Sequence, residues 1–368
     1  MKNILYIGPY KQTNGIGKSC KRMVDSLVTN SDINLAIRPV FYTSSKYYDA
    51  LDNTYTEFEE NSFKHYDIVV QHGLPDMFEY NRKFGKNIGI VEIETRKLSH
   101  SGWIEKINLM DEVIVNSVFS ANSLLDSGVD IPVNILPEGY NLNRYNAQYT
   151  SIFTYNTDKK PFIFYTIGKY TEKKNIQGII LAYLLEFEEN DNVRLFIKTD
   201  DESENHEVLK ELIEFDIERI KKSIRKDHIK IPDIDVVCGN ISDTDIIRMH
   251  KNADCYVNTV RGDSFGPCAV EAALCDRLVI NTKHIGSATY FNTTNALMVD
   301  AQVTNVFTPY FYNRNTFTIY EEWYEPNITS IRQAMRTAFE MSDEDRSKLT
   351  SNIDKSIFDN SRIGSTLL

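Results

Sequence analysis

Arg261 to Ile280 reads RGDSFGPCAVEAALCDRLVI, and this stretch decides the fold. ADCYVNT before it and LVIN at its end are apolar runs of strand length. Between them CAVEAALC has helical spacing behind Pro267, a residue suited to a first helical position. The order is strand, loop, helix, strand. The loop from Val260 to Gly266 leaves the carboxyl end of a strand and feeds a helix N-terminus, where free backbone N–H groups and the helix dipole favour a phosphate. Gly262 and Gly266 let the backbone come close to such a ligand. Asp263 in the loop and Glu271 one turn into the helix can bracket a polyhydroxylated molecule, because carboxylates accept hydrogen bonds from hydroxyls.

The same rhythm extends outward in both directions. NILYIG is a short buried strand, and PYKQTNGIGKS opens a helix that runs through MVDSLV. Gly17, Lys18 and Ser19 imitate the end of a P-loop, but Gln12 stands where its first glycine belongs, so a nucleotide triphosphatase is rejected. INLAIRPVF, DIVVQHG, NIGIVEIE, DEVIVNS and VNILPEG then alternate with helical segments, which implies a parallel sheet wrapped by helices. Between Tyr145 and Lys160 the composition turns polar and loses periodicity, placing a linker there. FIFYTIG, NVRLFIKT, a helix pair over Glu202 to Lys226, IDVVCGNIS and DTDIIRMHKNADCYVNT restart the alternation. The expectation is an α/β protein of two doubly wound domains, residues 1–150 and 151–345, followed by a helical tail, 346–368. The 368 residues are enough for two cores and too many for one of ordinary size.

Composition narrows the function classes. With 42% hydrophobic and 25% charged residues the chain is an ordinary globular one, far from disorder. The start MKNILYIGPY is a strand rather than a signal peptide and no run reaches membrane-span length, which predicts a cytoplasmic protein. Five cysteines without a CxxC spacing indicate neither a disulfide framework nor a zinc site. A net charge of −11 disfavours non-specific attraction to nucleic acid or anionic lipid, and the basic run Arg219 to Lys230 is read as a solvated helix face. Two DxD tripeptides, Asp233 to Asp235 and Asp243 to Asp245, are assigned to a strand start and to helix capping, not to metal.

The carboxylate, seven residues, carboxylate pattern of Asp263 and Glu271 resembles that of retaining glycosyltransferases of the GT-B fold, in particular the family 4 (group 1) branch whose loop reads RGEGFG. The resemblance covers nearly the whole chain and implies two Rossmann-like domains facing across a cleft, with the tail crossing back to the first. It implies that Asp263, Ser264, Phe265 and Gly266 hold the donor sugar, and that Glu271 holds the ribose. Lys169 and Lys174, in GKYTEKKN, take the places of the diphosphate-binding pair. Gly239, Asn240 and Ile241 fall under the nucleotide base, and Gly286 and Ser287 near the sugar. On the N-terminal side, Gly15 and Gly17 of the NGIG loop approach the donor diphosphate and the acceptor, while His72 and Glu94 leave strand ends. Asp263, Asp276 and Leu278 depart from the family's Glu, Gly and Pro.

The reaction so implied moves a hexose-like sugar from a nucleotide diphosphate sugar to a hydroxyl, with retention at the anomeric carbon, no metal and no cofactor beyond the donor. The acceptor is a glycan, a lipid-linked sugar, a protein or a modified nucleic-acid base, and the acidic balance disfavours the last. The alternative is a non-catalytic GT-B scaffold that binds a sugar nucleotide or a partner protein, motivated by the three departures. A dinucleotide oxidoreductase is disfavoured because no strand is followed by GxGxxG.

Overall fold

Apolar runs bounded by turn residues form two parallel sheets. The computed structural model describes residues 1–42, 52–98, 102–154, 160–200, 205–226, 228–306 and 320–367. These divide into two units: Met1–Leu142 with Asn305–Glu322 and Lys355–Leu368, and Asn143–Thr304 with Trp323–Asp354.

The first unit contains β1 (Lys2–Gly8), α1 (Gly15–Val28), β2 (Ile33–Pro39), α2 (Thr56–Glu60), β3 (Ile68–His72), β4 (Lys86–Ile90), α3 (Trp103–Ile107), β5 (Glu112–Val115), α4 (Val118–Asp126) and β6 (Val133–Ile135). Its strand order is β2-β1-β3-β4-β5-β6, with every neighbour parallel. Ile4 and Tyr6 alternate inward along β1 and meet Cys20, Met23, Val24 and Leu27, the helical stripe of α1. Each such aliphatic side chain contributes roughly 1.5–3 kcal/mol by leaving water. Asn14 starts α1 by accepting the Gly17 N–H at 3.0 Å.

The chain passes through α5 (Leu142–Asn146) into the second unit. Here β7 (Phe162–Ile167), α6 (Ile176–Glu186), β8 (Val193–Thr199), α7 (His206–Ser223), β9 (Ile234–Cys238), α8 (Asp243–Asn252), β10 (Cys255–Asn258), α9 (Pro267–Leu274), β11 (Leu278–Thr282) and β12 (Leu297–Val299) follow, then α10 (Ile328–Glu340) and α11 (Asp343–Thr350). The order is β12-β11-β10-β7-β8-β9, again parallel throughout. In α6, IQGIILAYLLE is apolar on nearly every face because the sheet covers one side and α10 the other, Arg336 of α10 donating to Glu186 at 2.8 Å. The last helix, α12 (Asn360–Thr366), belongs to the first unit. It meets α1 at close range: Ser26 donates to Asn360 at 3.0 Å, and an added Cβ at Gly364 would fall 2.0 Å from the Ser26 carbonyl oxygen.

Three local readings need correction. The pair of helices expected over Glu202 to Lys226 is the single helix α7 among the described residues, capped by Asn205; residues 201–204 lie outside them. The strand read through Glu94 ends at Ile90, since β5 offers only four residues to pair with and Val91 N–H to Ile114 O is the last rung. The cap of α8 is Ser242, not an aspartate: its hydroxyl accepts the Asp245 N–H at 3.1 Å and donates to the Asp245 carboxylate at 2.8 Å. Of the polar linker stretch, 155–159 lies outside the described residues, and Phe153 is already buried against Phe196 of the second unit.

Both sheets have a place where the chain reverses its direction of travel. In the second it runs outward from β7 to β9, then returns to lay β10 on the other side of β7; in the first it goes from β1 to β2 and returns to β3. Connections that leave adjacent strand ends in opposite directions open a crevice there, which is where ligands of such sheets collect. Those crevices lie between β7 and β10 and between β1 and β3.

Candidate functional site

The loop after β10 is held rigid from below. Asp263 carbonyl oxygen accepts the Gly286 N–H at 2.8 Å, and Thr282 hydroxyl donates to the Val260 carbonyl at 3.1 Å. An added Cβ at Gly286 would sit 2.1 Å from the Ser264 carbonyl oxygen, so the turn Gly286–Thr289 presses directly on the loop backbone. Gly266 has φ +78 and precedes Pro267 at the start of α9, a left-handed junction that leaves the first N–H groups of the helix without a side-chain cap. Asp263, Ser264 and Phe265 are all buried. Asp263 Oδ1 receives the Phe265 N–H at 3.4 Å, while Oδ2 is buried with no hydrogen-bond partner among the described residues. A buried carboxylate oxygen without a partner is costly, and a ligand hydroxyl would satisfy it. Glu271 lies on the buried face of α9, 7% exposed.

The strand end on the other side of this crevice supplies the lysines. Lys169 lies two residues past the end of β7, and Lys174 sits on the 3-10 turn Glu172–Lys174. The stem of Lys174 packs over Gly168, where an added Cβ would lie 3.3 Å from its Cγ; its ammonium pairs with no carboxylate among the described residues. Arg261, which sequence reading passed over, fixes this turn. Its N–H donates to the Lys173 carbonyl at 2.8 Å, its guanidinium reaches the Glu172 carbonyl, and it forks onto Glu325, with Nη2 to Oε1 at 2.9 Å. Asn175, at φ +53, adds an Nδ2 to Thr259 carbonyl bond of 2.8 Å. The loop and the lysine turn are thereby one rigid piece. Gly239 (φ +105), Asn240 and Ile241 follow β9, two strands away, and an added Cβ at Gly239 would fall 2.8 Å from His206 Nδ1.

In the first unit the crevice is lined by α1 and the end of β3. Gly17 is pressed on the Gln12 carbonyl oxygen, 2.1 Å from an added Cβ, whereas Gly15 has open space. His72 is the last residue of β3, buried, with Nδ1 2.8 Å from the Tyr6 hydroxyl and no hydrogen bond at Nε2 among the described residues. Burial pushes its pKa down to about 3, so the imidazole is neutral at pH 7. Glu94 is half-buried, four residues beyond the end of β4, in a segment pinned by Ser120 to the Ile93 carbonyl and Ser123 to the Thr95 carbonyl. Glu92 was missed: burial pushes the Cys20 thiol up, and the nearby charges of Glu92 and Glu138 add to it, which puts Glu92 on the His72 side. Arg22 of α1 pairs with Glu138 at 2.6 Å.

Glu321 is a second feature of this unit that the sequence did not flag. Fully buried, it accepts from the Thr95 hydroxyl at 3.0 Å through Oε2, has no partner at Oε1 among the described residues, and burial raises its pKa to about 7. The folded state therefore holds this proton more tightly than the unfolded chain, and the stability it contributes is complete below pH 4.5 and lost as pH rises through 7. Glu321→Gln is expected to be near neutral at pH 5 and to raise stability at pH 8.5 by about 1–2 kcal/mol, allowing for screening. Thermal melts at the two pH values check this; equal effects at both would show that Glu321 does not titrate in this range.

Residues 148–302, which lie inside the second unit, match the sequence profile of the family described as Glycosyl transferases group 1. Over those residues the second unit is similar to glycosyltransferases of group 1. No curated protein sequence matches the chain significantly. Among solved structures, HepE from Anabaena in complex with UDP and glucose matches at a TM-score of 0.59 and 11% identity, over 100% of this chain and 98% of its own. The N-terminal domain of trehalose-6-phosphate phosphatase from Candida albicans matches at 0.66 and 13%, over 100% and 96%. A UDP-forming α,α-trehalose-phosphate synthase from Burkholderia xenovorans in complex with glucose-6-phosphate matches at 0.66 and 10%, over 100% and 99%. The likeness at these identities is one of fold, and with the two parallel six-stranded sheets it makes this a GT-B chain of two Rossmann-like domains. In the second unit, Lys174 follows β7, and the 263–266 loop with Asp263 and the start of α9 follows the neighbouring strand β10. Such a set can hold an anion and accept hydrogen bonds from hydroxyls at the same place. Among the described residues no cluster of three acidic, histidine or cysteine side chains suits a metal ion, and no helix is long and apolar enough to cross a membrane.

Proposed function

We propose that the protein transfers a sugar from a nucleoside diphosphate sugar to an acceptor hydroxyl, with retention and without a metal, as in the RGEGFG branch. The observation that carries this reading is the junction of Lys174, the buried Asp263 with its open Oδ2, and the uncapped start of α9 at one reversal of the second sheet. The relatives of similar fold that hold UDP and glucose agree with it. Lys169 and Lys174 bind the diphosphate, supplying the positive charge a metal would otherwise bring. Asp263, Ser264, Phe265 and Gly266 bind the sugar, Glu271 the ribose, and Gly239 to Ile241 the base. His72 and Glu94 serve the acceptor side, and the loop with Gly15 and Gly17 approaches both the donor diphosphate and the acceptor, the acceptor being a glycan, a lipid-linked sugar, a protein or a modified base. Charge that develops on the leaving diphosphate is stabilised by preorganised donors, and the rest of catalysis is positioning.

Glu271→Ala should weaken nucleotide-sugar binding by roughly 10-fold to 100-fold, since charge-assisted hydrogen bonds to the ribose are each worth roughly 1.5–3 kcal/mol. Calorimetry on a folded variant checks it, and unchanged donor affinity would remove Glu271 from the site.

A further inference from the structure

Beneath Glu271 lies a chain of buried polar groups that the reaction so far leaves unused. Tyr165 on β7 and His250 in the last turn of α8 are both fully buried, with the Tyr165 hydroxyl 2.7 Å from His250 Nδ1 and the rings edge to face at 5.5 Å. His250 Nε2 makes no hydrogen bond among the described residues, and it lies 3.4 Å from Oε2 of Glu271 on α9. Groups from β7, α8 and α9 therefore form one chain that ends on the Glu271 carboxylate.

We propose that His250 is a positioning residue: held by Tyr165, it presents Nε2–H to the Glu271 carboxylate and orients that carboxylate for the ribose hydroxyls of the donor. This rests on the reading of Glu271 as the ribose acceptor. The direction of the chain follows from counting protons. Tyr165 has one hydroxyl hydrogen, and His250 Nδ1 is its only acceptor among the described residues. Burial holds the phenol protonated, so it donates, Nδ1 accepts, and the imidazole carries its proton on Nε2. That N–H faces a carboxylate oxygen at a distance longer than a formed hydrogen bond, and such contacts tighten when the ligand is bound. The donor beneath the carboxylate favours one of its orientations before the ribose arrives, and the contact closes as the ribose binds, which is where its contribution to binding arises. Nothing in the sequence pattern pointed to this, because Tyr165, His250 and Glu271 are separated by 85 and 21 positions.

The test compares UDP, GDP and ADP with their 2′,3′-dideoxy counterparts by calorimetry, in the full chain and its variants. The wild type should prefer a ribonucleotide over its dideoxy form by about 10-fold or more, and Glu271→Ala should abolish that preference. His250→Phe should reduce the preference by about 5-fold to 10-fold without changing affinity for the dideoxy form, and His250→Gln, which keeps a donor near the Nε2 position, should restore it to within about 3-fold. A merely structural role would shift both ligands together. If Glu271→Ala loses the preference while folded His250→Phe keeps it, the positioning role is wrong and the ribose reading stands. If Glu271→Ala keeps it, or no ribonucleotide binds, the ribose reading fails and the positioning role with it. Nitrogen NMR of histidine-labelled wild type tests the same chain without disturbing the core. The resonance altered by Tyr165→Phe should belong to an Nε2–H tautomer, and an Nδ1–H tautomer would overturn the proposal.

Discussion

Lys174→Ala is expected to lower kcat by roughly 100-fold to 1000-fold, the scale of removing one preorganised donor from a developing negative charge. The lysine is rigidly placed at its base, by Gly168 beneath its stem and by Arg261 gripping the turn on which it sits, yet its ammonium has no carboxylate partner among the described residues. Charge held in position without a partner is suited to a leaving diphosphate. The loss should fall on kcat more than on KM, because the interaction strengthens as the sugar–phosphate bond breaks. Steady-state kinetics with a competent donor check this. A loss confined to KM would make Lys174 a ground-state contact only. Arg261→Lys should act in the same direction and more weakly, since lysine cannot fork onto Glu325 while also reaching the turn.

On the first unit, Glu94→Gln is expected to cut transfer by about 100-fold while leaving nucleotide-sugar affinity within a few-fold, the usual scale for a positioned acid or base. The residue lies in a segment fixed by Ser120 and Ser123, so its placement does not depend on its own charge. Parallel kinetics and calorimetry on Glu94→Gln and Glu92→Gln read out which acid serves the acceptor. If Glu92→Gln carries the loss and Glu94→Gln does not, the acid is the one nearer Cys20 and His72. His72 itself contributes no limb to the pH profile between pH 5 and 8, because its pKa is held near about 3.

The alternation of apolar runs was enough to read two parallel sheets, and the strand, loop, helix, strand order read around Arg261 to Ile280 is the order of β10, α9 and β11. What the sequence hid was what depends on distant partners. Arg261 looks like a surface residue until Glu172 and Glu325, 89 and 64 positions away, converge on it. Glu321 looks like half of an exposed acidic pair, and only the fold shows it buried beside Thr95, 226 positions earlier. The NIGIVEIE run read as strand through Glu94, but a strand lasts only as long as its neighbour, and β5 is four residues long. Capping by Ser242 rather than by an aspartate was similarly undecidable from a run in which all three candidates are good caps.

The central claim, that this GT-B chain uses a nucleotide sugar as a glycosyl donor, is tested most directly by measuring release of free nucleoside diphosphate across a panel of nucleotide sugars and acceptors, with EDTA present throughout. One donor should release its nucleoside diphosphate in an acceptor-dependent manner, and the rate should fall with Lys174→Ala. A donor that binds but releases nothing with any acceptor would contradict the claim and leave a sugar-nucleotide-binding scaffold in its place.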